Sequence, residues 1–244
     1  MISFAIPNFN RTTNVIELIK HHVDDSRIQD IVVCDDGSAT QVVDELESFI
    51  KDTPKVKLIR NDSNVGPYLN KKRTVEHCLS DWVVLCDSDN FINKTYIDVL
   101  YDDLPWQEDT IYCPSFAKPH FDYRGLVGVN ISNIIQMDEV NKKTRMGPCF
   151  LNTGNFFFHR NNYIDVAERG LLYCKDKHSC DVIAFNYFWI MGGNKMKCVG
   201  DLEYDHDLSD DSVYKTESTR AYEKVQERLN EVNSDIHNSA LEVN

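Results

Sequence analysis

Short apolar runs and helically spaced segments alternate through the first hundred residues. ISFAIP (2–7) is an unbroken apolar run of the kind buried in a parallel sheet, and a helical pattern follows over 13–23. IQDIVVCDD (28–36) predicts a second strand closing in a DDGS turn, VVDELESFIK (42–51) has helical spacing, and KVKLIRN (55–61) predicts a third strand. Gly66 and Pro67 open a helix reaching about Leu79, and DWVVLCDSD (81–89) is an apolar strand that ends in acids. This succession predicts an α/β fold: a Rossmann-like, mostly parallel central sheet with helices on both faces. Ligands bind such sheets at the carboxyl ends of the strands, and each strand here ends in polar residues.

Beyond residue 105 the pattern is less regular. TIYCPSF (110–116), CFLNTGNFFFHR (149–160) and KMKCVGDLEYDH (195–206) predict strands, with helices near 161–170 and 180–192. The polar stretch 117–147 reads as loop, in the manner of a mobile flap. From Ser218 onward, Tyr222, Val225, Leu229, Val232 and Ile236 recur at spacings of 3, 4, 3, 4, which predicts a C-terminal amphipathic helix. Its narrow stripe suits docking on its own domain or on a second copy as a homo-oligomer seam, and is too short to read as a coiled coil. The pattern divides the chain into a single domain over 1–215, with halves 1–104 and 105–215, and a helical extension over 216–244.

Hydrophobic content of 42% with 27% charged residues fits a globular chain with a core. The net charge of −13, from 39 acids against 26 bases, argues against duplex nucleic acid and anionic lipid surfaces. Eight cysteines contain no CxxC pair, so no zinc site is expected. Cys34 and Cys86 lie in the apolar runs IVVC and WVVLC as buried thiols, which points to a reducing, cytoplasmic compartment. No signal-peptide pattern is visible, and no apolar stretch approaches the ~18–20 residues of a membrane span. The FFF run at 156–158 reads as core, and every histidine except His206 reads as surface.

Chemistry enters with Asp87-Ser88-Asp89, which closes an apolar strand. Two carboxylates one residue apart at a strand end can both turn into a cleft and hold Mg²⁺ or Mn²⁺, leaving positions open for diphosphate oxygens. The surrounding motifs are PNFNR (7–11), VVCDDGS (32–38), NxxNVG (61–66) and LCDSDN (85–90). In this order and spacing the chain resembles family 2 glycosyltransferases of the GT-A fold, strongly over 1–90 and more weakly over 145–210.

That resemblance implies a metal-dependent, inverting transfer of sugar from a nucleotide diphosphate donor, with uridine the favoured base, to a hydroxyl on a glycan or glycoconjugate, as in polysaccharide biosynthesis. It implies that Pro7 and Phe9 line the nucleobase pocket, with Asp36 on the base edge and Asp35 nearby. Arg11, Asn64, Gly66 and Ser88 belong to the same donor motifs. Lys71 stands where the family usually has arginine, for phosphate contact shared with Arg73. Asp87 would meet ribose or metal, Asp89 would coordinate the metal, and His206 would be a third metal ligand. Asp181, opening a helix after the Gly154–Arg160 segment, matches the family's catalytic base, with Asp176 as the fallback. Read from residue type alone, Asp35 and Asp36 also suit an Asx turn, and Asp181 suits a helix N-terminus. Two other functions stand beside this one. A sugar-phosphate nucleotidyltransferase would carry a Gly-rich loop after the first strand, which PNFNR lacks, and a non-catalytic nucleotide-sugar binder would bind donor without turnover.

Overall fold

An apolar strand with no polar face needs cover above, below and on both edges, and the first strand obtains all of these. A computed structural model describes residues 1–144, 154–171 and 181–207. In it β1 (Ile2–Asn8) is buried along its whole length and pairs in parallel with β2 (Ile28–Asp35) and β4 (Trp82–Leu85). β3 (Val56–Arg60) adds to the outer side of β2. Helices α1 (Thr12–His22) and α2 (Thr40–Ile50) make the β1–β2 and β2–β3 crossovers and pack on each other. The next crossover, through α3 (Pro67–Glu76), runs back past β1 to β4. Because parallel crossovers are right-handed, reversing the direction puts α3 on the opposite face. There it packs against β1 and β2, and against α6 (Arg160–Gly170) and α7 (Asp181–Met191). The reversal between β1 and β4 is a topological switch point, where a crevice opens at the strands' carboxyl ends.

The second half extends the same sheet. β6 (Thr110–Lys118) and β10 (Lys195–His206) pair in parallel, and β9 (Phe157–His159) runs antiparallel between β4 and β6. β5 (Asn90–Phe91) pairs with the far end of β10, giving the order β3-β2-β1-β4-β9-β6-β10-β5. Short strands β7 (Phe121–Asp122) and β8 (Asn130–Ile131) pair with β6 and β10. The FFF run is core, as expected: Phe156, Phe157 and Phe158 are all buried, and Phe157 packs against Trp82, Trp106 and Tyr112.

Several expectations are corrected. The stretch 117–147 is not a loose flap: over its described part it carries β7, β8 and α5 (Ile134–Thr144), anchored by buried Tyr123, Ile131 and Met137. Helix α4 (Lys94–Asp102) was hidden by its brevity, although Asn93 caps it by accepting from Tyr96 N. The strand expected to run to Asp89 stops at Leu85, because a turn at 87–90 begins there. His22 and His159 are buried, not surface residues. His22 stacks on Phe4 and hydrogen-bonds the Ile92 carbonyl, and burial pushes its pKa down to about 4. Cys34, Cys78, Cys86, Cys113 and Cys198 are buried free thiols. No helix among the described residues is long and apolar enough to cross a membrane. The C-terminal amphipathic helix over 216–244 and the fallback base Asp176 lie outside the described residues.

Candidate active site

At the carboxyl ends of β1, β2 and β3 the polar residues first bind one another. Asp35 accepts from Ser38 N and Ser38 Oγ within its own turn and from Asn8 Nδ2 across the sheet, at 2.9, 2.5 and 3.1 Å. It is 1% exposed, so it shapes the DDGS turn and does not line the cleft as expected. Asp36 braces the loop after β3: its Oδ1 accepts from Asn61 Nδ2 and Val65 N, and its Oδ2 from Gly66 N. A carboxylate oxygen takes two such bonds, so one lone pair on Oδ2 remains for a ligand. Gly37 has a positive φ of 73°, and a Cβ there would stand 2.7 Å from Asn64 N, so only glycine allows the two loops to touch. Arg73 reaches Asn61 Oδ1 at 2.7 Å. Pro7 is buried at the end of β1, while Phe9 is 45% exposed, a flat apolar surface beside these loops.

The acids of the DSD turn lie next along the sheet edge. The backbone N–H of Asp87 donates to Asn155 Oδ1 at 2.7 Å, and Tyr96 OH holds the Asn155 carbonyl. Asp87 turns inward to Lys71, whose Nζ is 3.0 Å from Asp87 Oδ1 and 2.7 Å from Asp181 Oδ2. Lys71, expected at the donor diphosphate, is thus enclosed between two carboxylates and only 7% exposed. Burial alone would lower the pKa of its ammonium; Asp181 and Asp87 outweigh that and raise it. Gly154 fits tightly over this pair at φ 68°, where a Cβ would lie 2.8 Å from Asp87 Oδ2 and 3.3 Å from Lys71 Nζ. Tyr163, stacked between Phe158 and Phe185, lines the small cavity that Lys71 and Asp181 share, and burial raises its phenol pKa.

Asp89 lies on the outer side of the turn, with Arg11 Nη2 at 3.6 Å, and Ser88 is buried between the two acids. Burial and the charge of Asp87 push the pKa of Asp89 up to about 6, against the pull of Arg11. Burial likewise raises Asp87, against Lys71. His206 stands opposite Asn90 in the β10–β5 register and lines a cavity of about 410 Å³ together with Asp89. Its Nδ1 is 3.0 Å from His120 Nδ1, so one ring donates to the other, and burial pushes its pKa down to about 4.

Two half-buried carboxylates on one turn, each with a single cationic neighbour, can take a divalent cation. Among the described residues no three His, Cys, Asp or Glu side chains converge on one point. His206 is thus not brought to both acids as the expected third ligand; a site of one or two carboxylates would need substrate phosphates to complete the shell of Mg²⁺ or Mn²⁺. The fold therefore joins Asp87, Lys71 and Asp181 directly and Arg11 to Asp89. Asn155, which fixes the DSD turn, and Tyr163 were not legible. Asn155 follows Gly154 within the Gly154–Arg160 segment, which signals it only as part of a motif, whereas nothing near Tyr163 in sequence signals its position.

A switch-point crevice with an acidic turn after β4 on a mostly parallel sheet defines a GT-A nucleotide-binding fold. Residues 3–165 match the model of Glycosyl transferase family 2, and the chain belongs to that family. It is 21% identical over 102 residues to glycosyltransferase GlyG of Streptococcus pneumoniae, an alignment covering 41% of this chain and 34% of that one. The fold is shared with the S. aureus TarS fragment 1–349 in complex with UDP-GlcNAc, at TM-score 0.61 and 14% identity, over 86% of this chain and 59% of that one. The same fragment in complex with UDP aligns at TM-score 0.59 over 88% and 62%. The chain thus spans less than two thirds of the length of each of these relatives.

Proposed function

We propose that this protein is a glycosyltransferase that moves a sugar from a nucleotide diphosphate donor, a UDP-sugar first, to a hydroxyl of a glycan or glycoconjugate with inversion. The observation that carries this reading is the Asp87–Lys71–Asp181 cluster: an acid from the second half of the chain sits one ammonium away from the donor-side acidic turn. UDP and UDP-GlcNAc, the ligands of the TarS fragment, make uridine the base to test. The nucleobase lies against Phe9 and Pro7 over the loop that Asp36 braces, and Arg73 flanks that loop. Asp89 and Asp87 would hold Mn²⁺ or Mg²⁺, which when bound offsets the negative charge of the leaving diphosphate.

Asp181 takes the proton from the acceptor hydroxyl as that oxygen bonds to the anomeric carbon and the bond to the diphosphate breaks. A single displacement of this kind needs one base and no covalent sugar–enzyme intermediate.

The test is a panel of nucleotide sugars with Mn²⁺ or EDTA, read by donor hydrolysis and thermal shift. UDP-sugars should raise the melting temperature only with metal, since a ligand that binds the folded state stabilises it by mass action. Binding of donor without turnover for any acceptor would favour a non-catalytic binder, and an unchanged melting temperature would remove the donor site altogether.

A further inference from the structure

Lys71 has an arrangement that a lysine reserved for phosphate would not show. It lies on α3, on the face packed toward α6 and α7, and is 7% exposed. Its ammonium touches Asp87 of the DSD turn at 3.0 Å and Asp181 at the start of α7 at 2.7 Å. The two acids come from opposite halves of the chain and share this one ammonium. Gly154, with space for no side chain, keeps the contact closed from above.

We infer that Lys71 is a positioning residue that couples cation loading at the DSD turn to the state of Asp181. This rests on the functional reading above and adds to it a link between the two sides of the site. One ammonium serves two carboxylates. While Asp87 has no other counterion, it shares Lys71 with Asp181. Were Asp87 and Asp89 to hold a divalent cation, Asp87 would be a weaker partner for Lys71, and the ammonium would be left to Asp181, holding that carboxylate in place. Linkage makes the effect reciprocal: whatever changes at Asp181 changes the affinity of the turn for the cation.

The test is Mn²⁺ alone, titrated into the full chain and followed by electron paramagnetic resonance, with no nucleotide present. Lys71→Met removes the competing ammonium and should tighten Mn²⁺ by about 5-fold or more, the lower end of measured site–site couplings. Asp181→Asn places the whole ammonium charge on Asp87 and should weaken Mn²⁺ by about the same factor. The double variant, losing both charges, should lie between the two. A lysine that acts only on diphosphate, or only as packing, predicts no opposite shifts, and equal or like-signed changes would overturn the coupling. Asp181→Asn keeps the Lys71–Asp87 pair and decides the matter should Lys71→Met fail to fold. Wild-type protein that binds no Mn²⁺ overturns the metal reading and the coupling together; wild type that binds Mn²⁺ with no shift in either variant overturns the coupling alone.

Discussion

At the scale of single residues the site is a set of acids with different tasks. Burial and the charge of Asp87 push the pKa of Asp89 up to about 6 despite Arg11 at 3.6 Å, which makes a pH test possible. A carboxyl raised on folding contributes stability that is complete below its unfolded value and is lost as pH rises through the folded one. Metal-free Asp89→Asn should therefore melt above wild type at pH 7.5 in EDTA, and that gain should disappear below about pH 4, the unfolded carboxyl range. With Mn²⁺ present the order reverses. The variant should lose at least the ~10–100-fold in affinity that even outer-shell partners of a metal are worth, and wild-type binding should weaken as pH falls through 6. Asp36 is different in kind. Asp36→Ala leaves Val65 N and Gly66 N without their acceptor and takes one of two from Asn61 Nδ2, so chemical denaturation should show a loss of about 1–3 kcal/mol per stranded group at most. UDP affinity should fall with it, because the loop proposed to carry the base pocket loosens.

At the scale of elements, β9 carries more than its three residues suggest. It is the strand through which β4 and β6 join, and Phe157 on it is fully buried among Trp82, Trp106 and Tyr112. Phe157→Ala should cost about 3–5 kcal/mol in urea unfolding, the range for a buried aromatic truncated to alanine. The segment entering β9 has the opposite requirement, for absence of bulk. Gly154→Ala forces a left-handed backbone on a residue with a Cβ, at about 1–2 kcal/mol. Its Cβ, 2.8 Å from Asp87 Oδ2, also displaces that carboxylate from its place in the turn, a loss that outweighs release from Lys71, so Mn²⁺ affinity should fall in a protein that still folds. A variant with wild-type Mn²⁺ affinity would show that the turn tolerates the methyl.

At the scale of the whole molecule, the two halves are not separable units. β4 has β9 on its outer edge, α3 packs on α6 and α7, and Lys71 of the first half is neutralised in part by Asp181 of the second. A fragment of residues 1–104 would expose that strand edge, that helix face and that ammonium together. It should show no cooperative thermal transition, whereas the full chain should. Product stereochemistry also belongs to this scale, since it depends on which side of the donor Asp181 occupies. Proton NMR of the product should show the anomeric coupling of inverted configuration, and retention would remove Asp181 as the base of a single displacement.

The strands β1 to β4, their helices and the acidic turn were readable because their information is local: apolar runs fix burial, periodicity fixes element type, and turn residues sit beside the strands they end. Asp87, Asp89 and Asp36 could be named from motifs for the same reason. What each acid touches was not readable, since Asp35 and Asp36 differ by one position, yet one closes its own turn and the other holds a loop some thirty residues away. Short elements were missed where their stability comes from neighbours rather than from pattern: α4, β7 and β8 have too few residues to display a clear period. The partnership of Lys71 with Asp181 spans 110 positions and exists because a right-handed crossover puts α3 on the face where α7 later packs. Residue type and spacing carry the chemistry that a strand end can perform; only packing of distant segments decides which charges share a counterion.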